Sequence, residues 1–363
     1  MRKLTVRAPN GDTPVWVGNE AIRRVGGLLR GKSRPSSLHV VSDRAVWKLH
    51  GRTLEETLST PGLSISRTLL APGESAKSIA SLERIWRDAA RHGVDRRGLF
   101  VAFGGGVVGD LTGFAAGTFL RGVAFVQVPT TLLAMVDASV GGKTGANLPE
   151  GKNLVGVFLQ PRAVAMDLRF LATLSTRELR AGWAEVIKTA AIRDARLLER
   201  VASYGPRLDA LDRSSLADIV ARAVAIKARV VEEDEREANL RMILNFGHTL
   251  GHGIEAAQGY GKLLHGEAVA IGMAFAARLG ERLGVTPSGV ARTLEEIIAG
   301  ADLPTRVRSI DRRLLIKAMG RDKKRGPKGQ RWVLLRDFGE TVITDDVPVR
   351  IVSSELDRFL EKG

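Results

Sequence analysis

The stretch LFVAFGGGVVGD, residues 99–110, runs from an apolar segment through a glycine cluster into small apolar residues. That is the pattern of a strand passing through a tight turn into a helix. Gly104, Gly106 and Gly109 satisfy GxGxxG. Glycines so placed allow a sharp turn and let backbone N–H groups at a helix N-terminus approach a pyrophosphate. The usual companion, an acidic residue about twenty positions on to hold ribose hydroxyls, is missing, since that region reads RGVAFVQVP. Asp43, which ends the earlier run HVVSD, could hold the ribose if the strands are ordered to bring it near. The competing explanation is that the glycines serve only the strand-to-helix turn.

Working outward, the first half alternates β-rich runs (SSLHVVSD, LFVAFGGG, VAFVQVPTT, AVAMDL) with helical stretches such as AKSIASLERIWRDAARHG. Alternation of this kind predicts a parallel sheet with crossover helices. After Arg177 the apolar residues recur at helical spacing, as in TRELRAGWAEVIKTAAI, SLADIVARAVAIKARVVEEDERE and GEAVAIGMAFAARLGERLG. The expectation is an α/β domain over residues 1–180 and an all-α domain over 181–363. A chain of 363 residues is long for one hydrophobic core.

With 44% apolar and 26% charged residues, the chain has the composition of a globular protein. The N-terminus MRKLTVRAPNGD lacks the apolar stretch of a signal peptide, and no membrane-spanning run occurs, so a soluble cytoplasmic protein with no membrane partner is expected. There are no cysteines, which excludes disulfides, thiolate zinc sites and cysteine nucleophiles; any metal must use His, Asp or Glu. The formal charge of +15 suits nucleic acid or small anionic substrates. The densest basic run, GRDKKRGPKGQR at 320–331, carries no aromatic residue for base stacking. A solvated loop, or a lysine entering an anion site, is therefore expected before a nucleic-acid surface.

The segment VPTTLLAMVDASVGGKTGANLPEGKNLVG, residues 128–156, is too polar and too punctuated for a buried crossover. Long irregular segments of this kind are commonly functional. Its glycines can expose N–H groups and its lysines, Lys143 and Lys152, add charge, which together suit phosphate.

The chain has six histidines, and three of them, His248, His252 and His265, fall within residues 248–265. A pair at i and i+4 is good ligand geometry, as in HExxH, but Thr249 stands where that motif has its general base. A catalytic site of the two-histidine, one-carboxylate type needs an acidic partner. Glu185 in the apolar helix GWAEVIKTA is the best candidate, with Lys188 on the same helical face. Spacing does not settle which histidines bind.

Taken together, these motifs resemble the 3-dehydroquinate synthases within the sugar-phosphate cyclases. They are GGGVVGDLTGFAAGTFLRG, VPTTLLAMVDASVGGKTGAN, GKNLVG, LRAGWAEVIK, DEREANLRMILNFGHTLGHGIE and LLHGEAVAIGM. The resemblance spans essentially the whole chain from VVSD to DKK. It implies a Rossmann-like NAD site in the first domain, a bound zinc with cobalt as the alternative metal, and a homodimer. Glu185, His248 and His265 would ligate the metal, with His252 unligated in the active site. His252, Lys188, Asp137 and Lys227 fall on catalytic positions. Arg121, Lys143, Lys152, Asn153, Arg241 and Asn245 fall on substrate positions, and Arg121 resembles an arginine that reaches a neighbouring subunit's substrate phosphate. A lysine of RDKKRG also belongs in the site, and the motif does not distinguish Lys323 from Lys324. For NAD the matching positions are Asp43; Pro72, Gly73, Glu74, Ser75, Ala76 and Lys77; Gly106, Val107, Val108, Gly109 and Asp110; Thr130 and Thr131; Lys143 and Lys152; and Phe170, Leu171, Ala172 and Thr173. Departures at Ser75, Ala76, Ala238 and Asn239 affect local loop shape only.

The implied reaction converts a seven-carbon ketose acid phosphate to 3-dehydroquinate and phosphate, a lyase step of the shikimate pathway of aromatic amino acid biosynthesis. It proceeds by transient oxidation with NAD, phosphate elimination, reduction, ring opening and intramolecular aldol closure. The competing readings are another sugar-phosphate cyclase, a metal- and NAD-dependent polyol dehydrogenase, and a nucleic-acid-binding protein built on an inactive fold.

Overall fold

The computed structural model of the protein describes residues 1–9, 11–30, 34–205, 212–259, 261–307, 309–320, 325–326 and 329–361. The chain forms two compact units, residues 1–175 with 212–235, and residues 176–211 with 236–363. The sequence places one boundary near 180. In the structure the division lies after Ser175, and the segment 212–235 returns to the first unit.

The first unit contains strands β1 (Arg2–Val6), β2 (Thr13–Val17), β3 (Ser37–Asp43), β4 (Ser64–Leu70), β5 (Leu99–Gly104), β6 (Ala124–Pro129), β7 (Lys143–Leu148), β8 (Gly151–Phe158) and β9 (Val164–Met166). Its helices are α1 (Arg23–Leu28), α2 (Arg44–Leu58), α3 (Ile79–Arg91), α4 (Gly106–Thr118) and, from the returning segment, α7 (Arg213–Glu233). Seven strands form one sheet in the order β1-β2-β9-β6-β5-β3-β4, parallel throughout except for the antiparallel β1–β2 pair. The central strands are buried on both faces, and successive residues point to opposite sides. Leu38, Val40, Leu99, Val101 and Phe103 pack with Val25 of α1 and Leu54 and Leu58 of α2. Val41, Phe100 and Phe125 pack on the other side with Leu82 and Ile85 of α3 and Val108 and Leu111 of α4. Burial on both faces explains why β5 and β6 read as near-continuous apolar runs.

The polar segment expected to be irregular is largely regular. It forms a π-helical turn at Ala134–Ala138 and then the antiparallel hairpin β7–β8. Glycine is what permits that pairing. A Cβ on Gly156 would lie 1.9 Å from the Thr144 carbonyl oxygen, and one on Gly145 2.6 Å from that of Val155.

The second unit is helical: α5 (Thr176–Arg193), α6 (Ala195–Tyr204), α8 (His248–Gln258), α9 (His265–Arg282), α10 (Val290–Gly300), α11 (Arg312–Gly320) and α12 (Val349–Glu361). Two short antiparallel strand pairs, β10 (Arg325–Gly326) with β11 (Gly329–Gln330) and β12 (Trp332–Asp337) with β13 (Glu340–Thr344), accompany the helices and are not part of the sequence reading. Among the described residues no helix is long and apolar enough to cross a membrane.

Candidate active site

In the second unit three helices bring Glu185, His248 and His265 together. Glu185 sits in the middle of α5, where residues 181–192 are all buried. His248 and His265 are the first residues of α8 and α9. Their convergence depends on glycine. Gly247, at φ +80°, starts α8 in the left-handed region, and a Cβ on Gly272 of α9 would lie 1.8 Å from its carbonyl oxygen, so α8 and α9 meet backbone to backbone. A Cβ on Gly266 would lie 1.9 Å from the Ala181 carbonyl oxygen, so α9 meets α5 the same way. The α9 start is fixed further by Glu267, which accepts from the Leu264 N–H at 2.8 Å and forks with Arg177 of α5 at 2.6 and 2.7 Å.

One ligand atom from each of Glu185, His248 and His265 lies within 4.8 Å of the others. The Glu185 carboxylate is about 1% exposed. Its Oε2 is in contact with the Lys188 ammonium, also buried. Its Oε1 accepts no hydrogen bond among the described residues and faces Nε2 of His265 at 3.8 Å and Nε2 of His248 at 3.9 Å. An orphaned buried carboxylate oxygen is costly. Two imidazole nitrogens just beyond hydrogen-bond range from it outline the gap a cation fills, since ligands of one tetrahedral zinc sit roughly 3.4 Å apart. The His248 Nδ1 lies 3.2 Å from the Phe246 carbonyl oxygen, so a proton on Nδ1 leaves Nε2 unprotonated on the Glu185 side. The residues present fit a divalent metal with His and carboxylate ligands.

His252 lies one turn along α8, its ring centroid 5.2 Å from that of His248 and 5.9 Å from that of His265. With Glu255 and His265 it forms a second group of potential ligands. Sequence reasoning did not single out Glu255, although the spacing GHGIE puts it three residues after His252 on the same helix. Just before α8, the 3-10 turn Leu240–Asn245 carries Arg241, about 3% exposed, and Asn245, whose Nδ2 donates to Glu237 at 2.5 Å. Lys323 and Lys324 lie outside the described residues.

In the first unit the residues matched to NAD gather at the carboxyl ends of adjacent parallel strands, the place where open α/β sheets hold ligands. Asp43 ends β3, residues 72–77 follow β4, Gly106–Asp110 follow β5, Thr130 and Thr131 follow β6, and Phe170–Thr173 follow β9. Ser42 of β3 pairs with Phe103 of β5, so Asp43 stands beside the glycine turn, as the missing downstream acid requires. Its Oδ1 also caps α2, accepting from Ala45 N and Val46 N at 2.9 Å each. The glycines divide their work. Gly109 lets α4 pack on β6, a Cβ there lying 2.7 Å from Gln127 Oε1, whereas Gly105 and Gly106 open α4 without a side-chain cap. Phe170 and Leu171 are buried, Phe170 in the core beside Phe103, which leaves their backbone to meet a ligand.

Lys77 is about 6% exposed, in contact with Asp110, and donates to Asn153 Oδ1 at 2.5 Å. Burial pushes the Asp110 carboxyl up, an effect the Lys77 ammonium opposes. Asn147 completes this group, donating to Glu74 at 2.8 Å and accepting from Asn153 N at 2.9 Å. Asn153 has φ +52°, a conformation asparagine tolerates better than most residues. Lys227 of α7 reaches the π-helical turn, donating to the Asp137 carbonyl at 2.5 Å and contacting its carboxylate. Lys143 is exposed at the start of β7 and Lys152 half-buried in β8. Arg121 is exposed, in a run of three positive φ values: Leu120 at 51°, Arg121 at 67° and Gly122 at 125°.

Known proteins share both the sequence pattern and the fold. Residues 67–181 match the family model described as 3-dehydroquinate synthase N-terminal, and residues 182–325 the one described as 3-dehydroquinate synthase C-terminal. A 2-deoxy-scyllo-inosose synthase, solved with carbaglucose-6-phosphate, NAD+ and Co2+, is 25% identical over 99% of this chain and 100% of its own, with a TM-score of 0.89. The 2-epi-5-epi-valiolone synthase of Streptomyces hygroscopicus subsp. jinggangensis 5008, solved with NAD+ and Zn2+, is 28% identical over 98% of this chain and 99% of its own, with a TM-score of 0.86. A probable glycerol dehydrogenase from Sinorhizobium meliloti 1021 shares the fold at a TM-score of 0.59 and 20% identity, over 94% of each chain. The chain belongs to the dehydroquinate synthase-like family of sugar-phosphate cyclases.

Proposed function

We propose that the protein is a 3-dehydroquinate synthase, acting on 3-deoxy-D-arabino-heptulosonate 7-phosphate with NAD and a divalent metal. Membership of the cyclase family supports the reaction type. The observation that supports an acid substrate is Arg241, a buried guanidinium on the turn leading directly into the helix that begins with His248. A buried arginine suits a planar carboxylate, which it can bind through two parallel hydrogen bonds.

In this reading Glu185, His248 and His265 hold the metal, and the sheet edge from Asp43 to Thr173 holds NAD. When bound, NAD supplies reversible hydride uptake, and the metal supplies Lewis acidity toward vicinal hydroxyls. The protein's own groups do the rest. Arg241 and Asn245 orient the substrate acid. Lys143, Lys152 and Asn153, with a lysine of the 323–324 pair, neutralise substrate charge. Lys188 holds the Glu185 carboxylate through Oε2, which keeps Oε1 turned toward the two histidines. Lys227 fixes Asp137 from backbone and side chain together. His252, beside the ligand histidines, carries protons. The later carbon–carbon closure is intramolecular, so holding the chain in one conformation contributes much of its acceleration.

The deciding assay supplies the seven-carbon acid phosphate with catalytic NAD and zinc and measures inorganic phosphate with and without chelator. Phosphate release that the chelator abolishes, with no lasting accumulation of NADH, is expected; none above background refutes the assignment. His248→Ala should lose metal, whereas His252→Ala should retain it and lose most turnover. Equal metal loss in both would overturn that division. A second reading, a cyclase acting on a sugar phosphate without a carboxylate, draws support from the likeness to the inosose and valiolone synthases. It predicts release from such a sugar phosphate and an Arg241→Met variant that is unimpaired on it.

The reading includes a homodimer in which Arg121 serves the partner's substrate, a role its exposed and conformationally special position suits. Arg121→Ala and His248→Ala, each inactive alone, should recover activity when mixed and allowed to exchange subunits. No recovery in mixed dimers would place Arg121 outside the site.

A further inference from the structure

The two ring nitrogens of His265 face different carboxylates. Nε2 lies 3.8 Å from Glu185 Oε1, and Nδ1 lies 3.4 Å from Glu255 Oε2. Glu255 is buried on α8, seven residues after His248 and three after His252, so one helical face presents all three groups. Two groups of potential ligands therefore share His265: Glu185 with His248, and Glu255 with His252.

A neutral imidazole has one lone pair for a metal and one N–H for a hydrogen bond. His248, with Nδ1 facing the Phe246 carbonyl, presents Nε2 to Glu185. Glu185 Oε1 is the orphaned buried oxygen. A cation between Glu185 and His248 removes that orphan, takes the His265 lone pair at Nε2 and leaves Nδ1–H to donate to Glu255. A cation on the Glu255 side leaves the buried Glu185 Oε1 orphaned.

We propose that Glu255 is a positioning residue for the metal centre: it accepts from His265 Nδ1–H, fixing that ring's tautomer and plane and making Nε2 a stronger donor. This rests on the metal reading above. Carboxylates behind a ligand histidine act in this way, and their loss weakens metal binding about 10- to 100-fold.

The test is zinc binding by competition with a chromophoric chelator, for the full-length protein and three variants. The parent should bind one ion per chain, and Glu185→Gln should lose it. Glu255→Gln keeps an acceptor oxygen without the charge, and should retain one ion per chain bound about tenfold more weakly. Glu255→Leu should approach a hundredfold. Cobalt-substituted protein should show a visible spectrum altered in Glu255→Leu and closer to the parent in Glu255→Gln. A residue that only fills space would instead move the unfolding midpoint of the metal-free protein and leave affinity and spectrum alone. Unchanged affinity in both variants refutes the proposal. Stoichiometry falling to zero in both, as in Glu185→Gln, also refutes it, because Glu255 would then be a ligand. If Glu255→Leu does not fold, Glu255→Gln decides. A parent protein that binds no zinc or cobalt fails the metal reading itself and this proposal with it, an outcome distinct from a bound ion indifferent to Glu255.

Discussion

Gly266→Ala places a methyl group where α9 touches α5. The new Cβ would lie 1.9 Å from the Ala181 carbonyl oxygen and 2.8 Å from its Cα. Ordinary contact begins near 3.4 Å, and the obstacle is backbone rather than a side chain that can swing aside. The start of α9 must therefore move about 1.5 Å from α5, or α5 must bend by as much. His265 precedes Gly266 directly, and Glu185 lies one turn after Ala181. The 3.8 Å between Glu185 Oε1 and His265 Nε2 then grows beyond the ~4.2 Å that two bonds to one zinc can span even in a line. Overpacking of a well-filled core costs roughly 1–3 kcal/mol, and a helix-to-helix backbone clash belongs at the top of that range. Loss of one of the three proposed ligands should weaken zinc by at least a hundredfold, about 2.7 kcal/mol. The assays are the urea midpoint of the metal-free protein and zinc affinity by chelator competition. Gly300→Ala is the control, because a Cβ there meets nothing within 4 Å; it should be neutral or stabilise slightly. A Gly266→Ala protein with the parent's midpoint and zinc affinity would refute the claim that this contact sets the ligand spacing.

Other expectations concern the first unit. His39 is fully buried, its ring nitrogens 2.8 Å from the Ser66 hydroxyl and 3.0 Å from that of Thr68, and burial holds its pKa at about 4. The folded protein thus takes up this proton at lower pH than the unfolded chain, for which 6.5 is usual, so the contribution is intact above pH 6.5 and is lost as pH falls from there toward 4. The loss is about 3 kcal/mol, and His39→Gln should flatten the dependence of the unfolding midpoint over that window. Asp43→Ala should cost about 1 kcal/mol from the lost α2 cap and weaken NAD as well, whereas Asp43→Asn should keep the cap and report on NAD alone in calorimetric titration. Lys77→Met strands the Asp110 carboxylate and should cost about 3 kcal/mol in denaturant unfolding, part of it recovered in Lys77→Met/Asp110→Asn.

The sheet was legible in the sequence because β5 and β6, buried on both faces, are mostly apolar along their length, which no amphipathic surface element imitates. The β7–β8 hairpin was not, for a physical reason. Its strands pair through Gly145 and Gly156, which allow close backbone approach and contribute no apolar pattern, so the segment scans as a loop. Helix α7 scans with the helical half because periodicity reports a helix and not its neighbours. Its contacts assign it: Asp218 pairs with Arg2, and Glu232 accepts from the Arg7 N–H, tying it to the ends of β1.

Around Glu185 the spacing of the histidines marked them as one group, and it left open which of them face the carboxylate. A four-residue spacing states that His248 and His252 share a helical face, and nothing about which ring nitrogen carries a proton. That depends on the backbone just before the helix start. His248 stands first in α8, after a left-handed glycine, which brings its Nδ1 near the Phe246 carbonyl and turns Nε2 to Glu185. His252, one turn on, groups instead with Glu255 and His265. The position of the helix start thus separates two chemically identical side chains. Inserting a residue between Gly247 and His248 would rotate both histidines by about 100° about the α8 axis and should abolish zinc binding, while an exchange at an exposed α8 position such as Ala256→Ser should not.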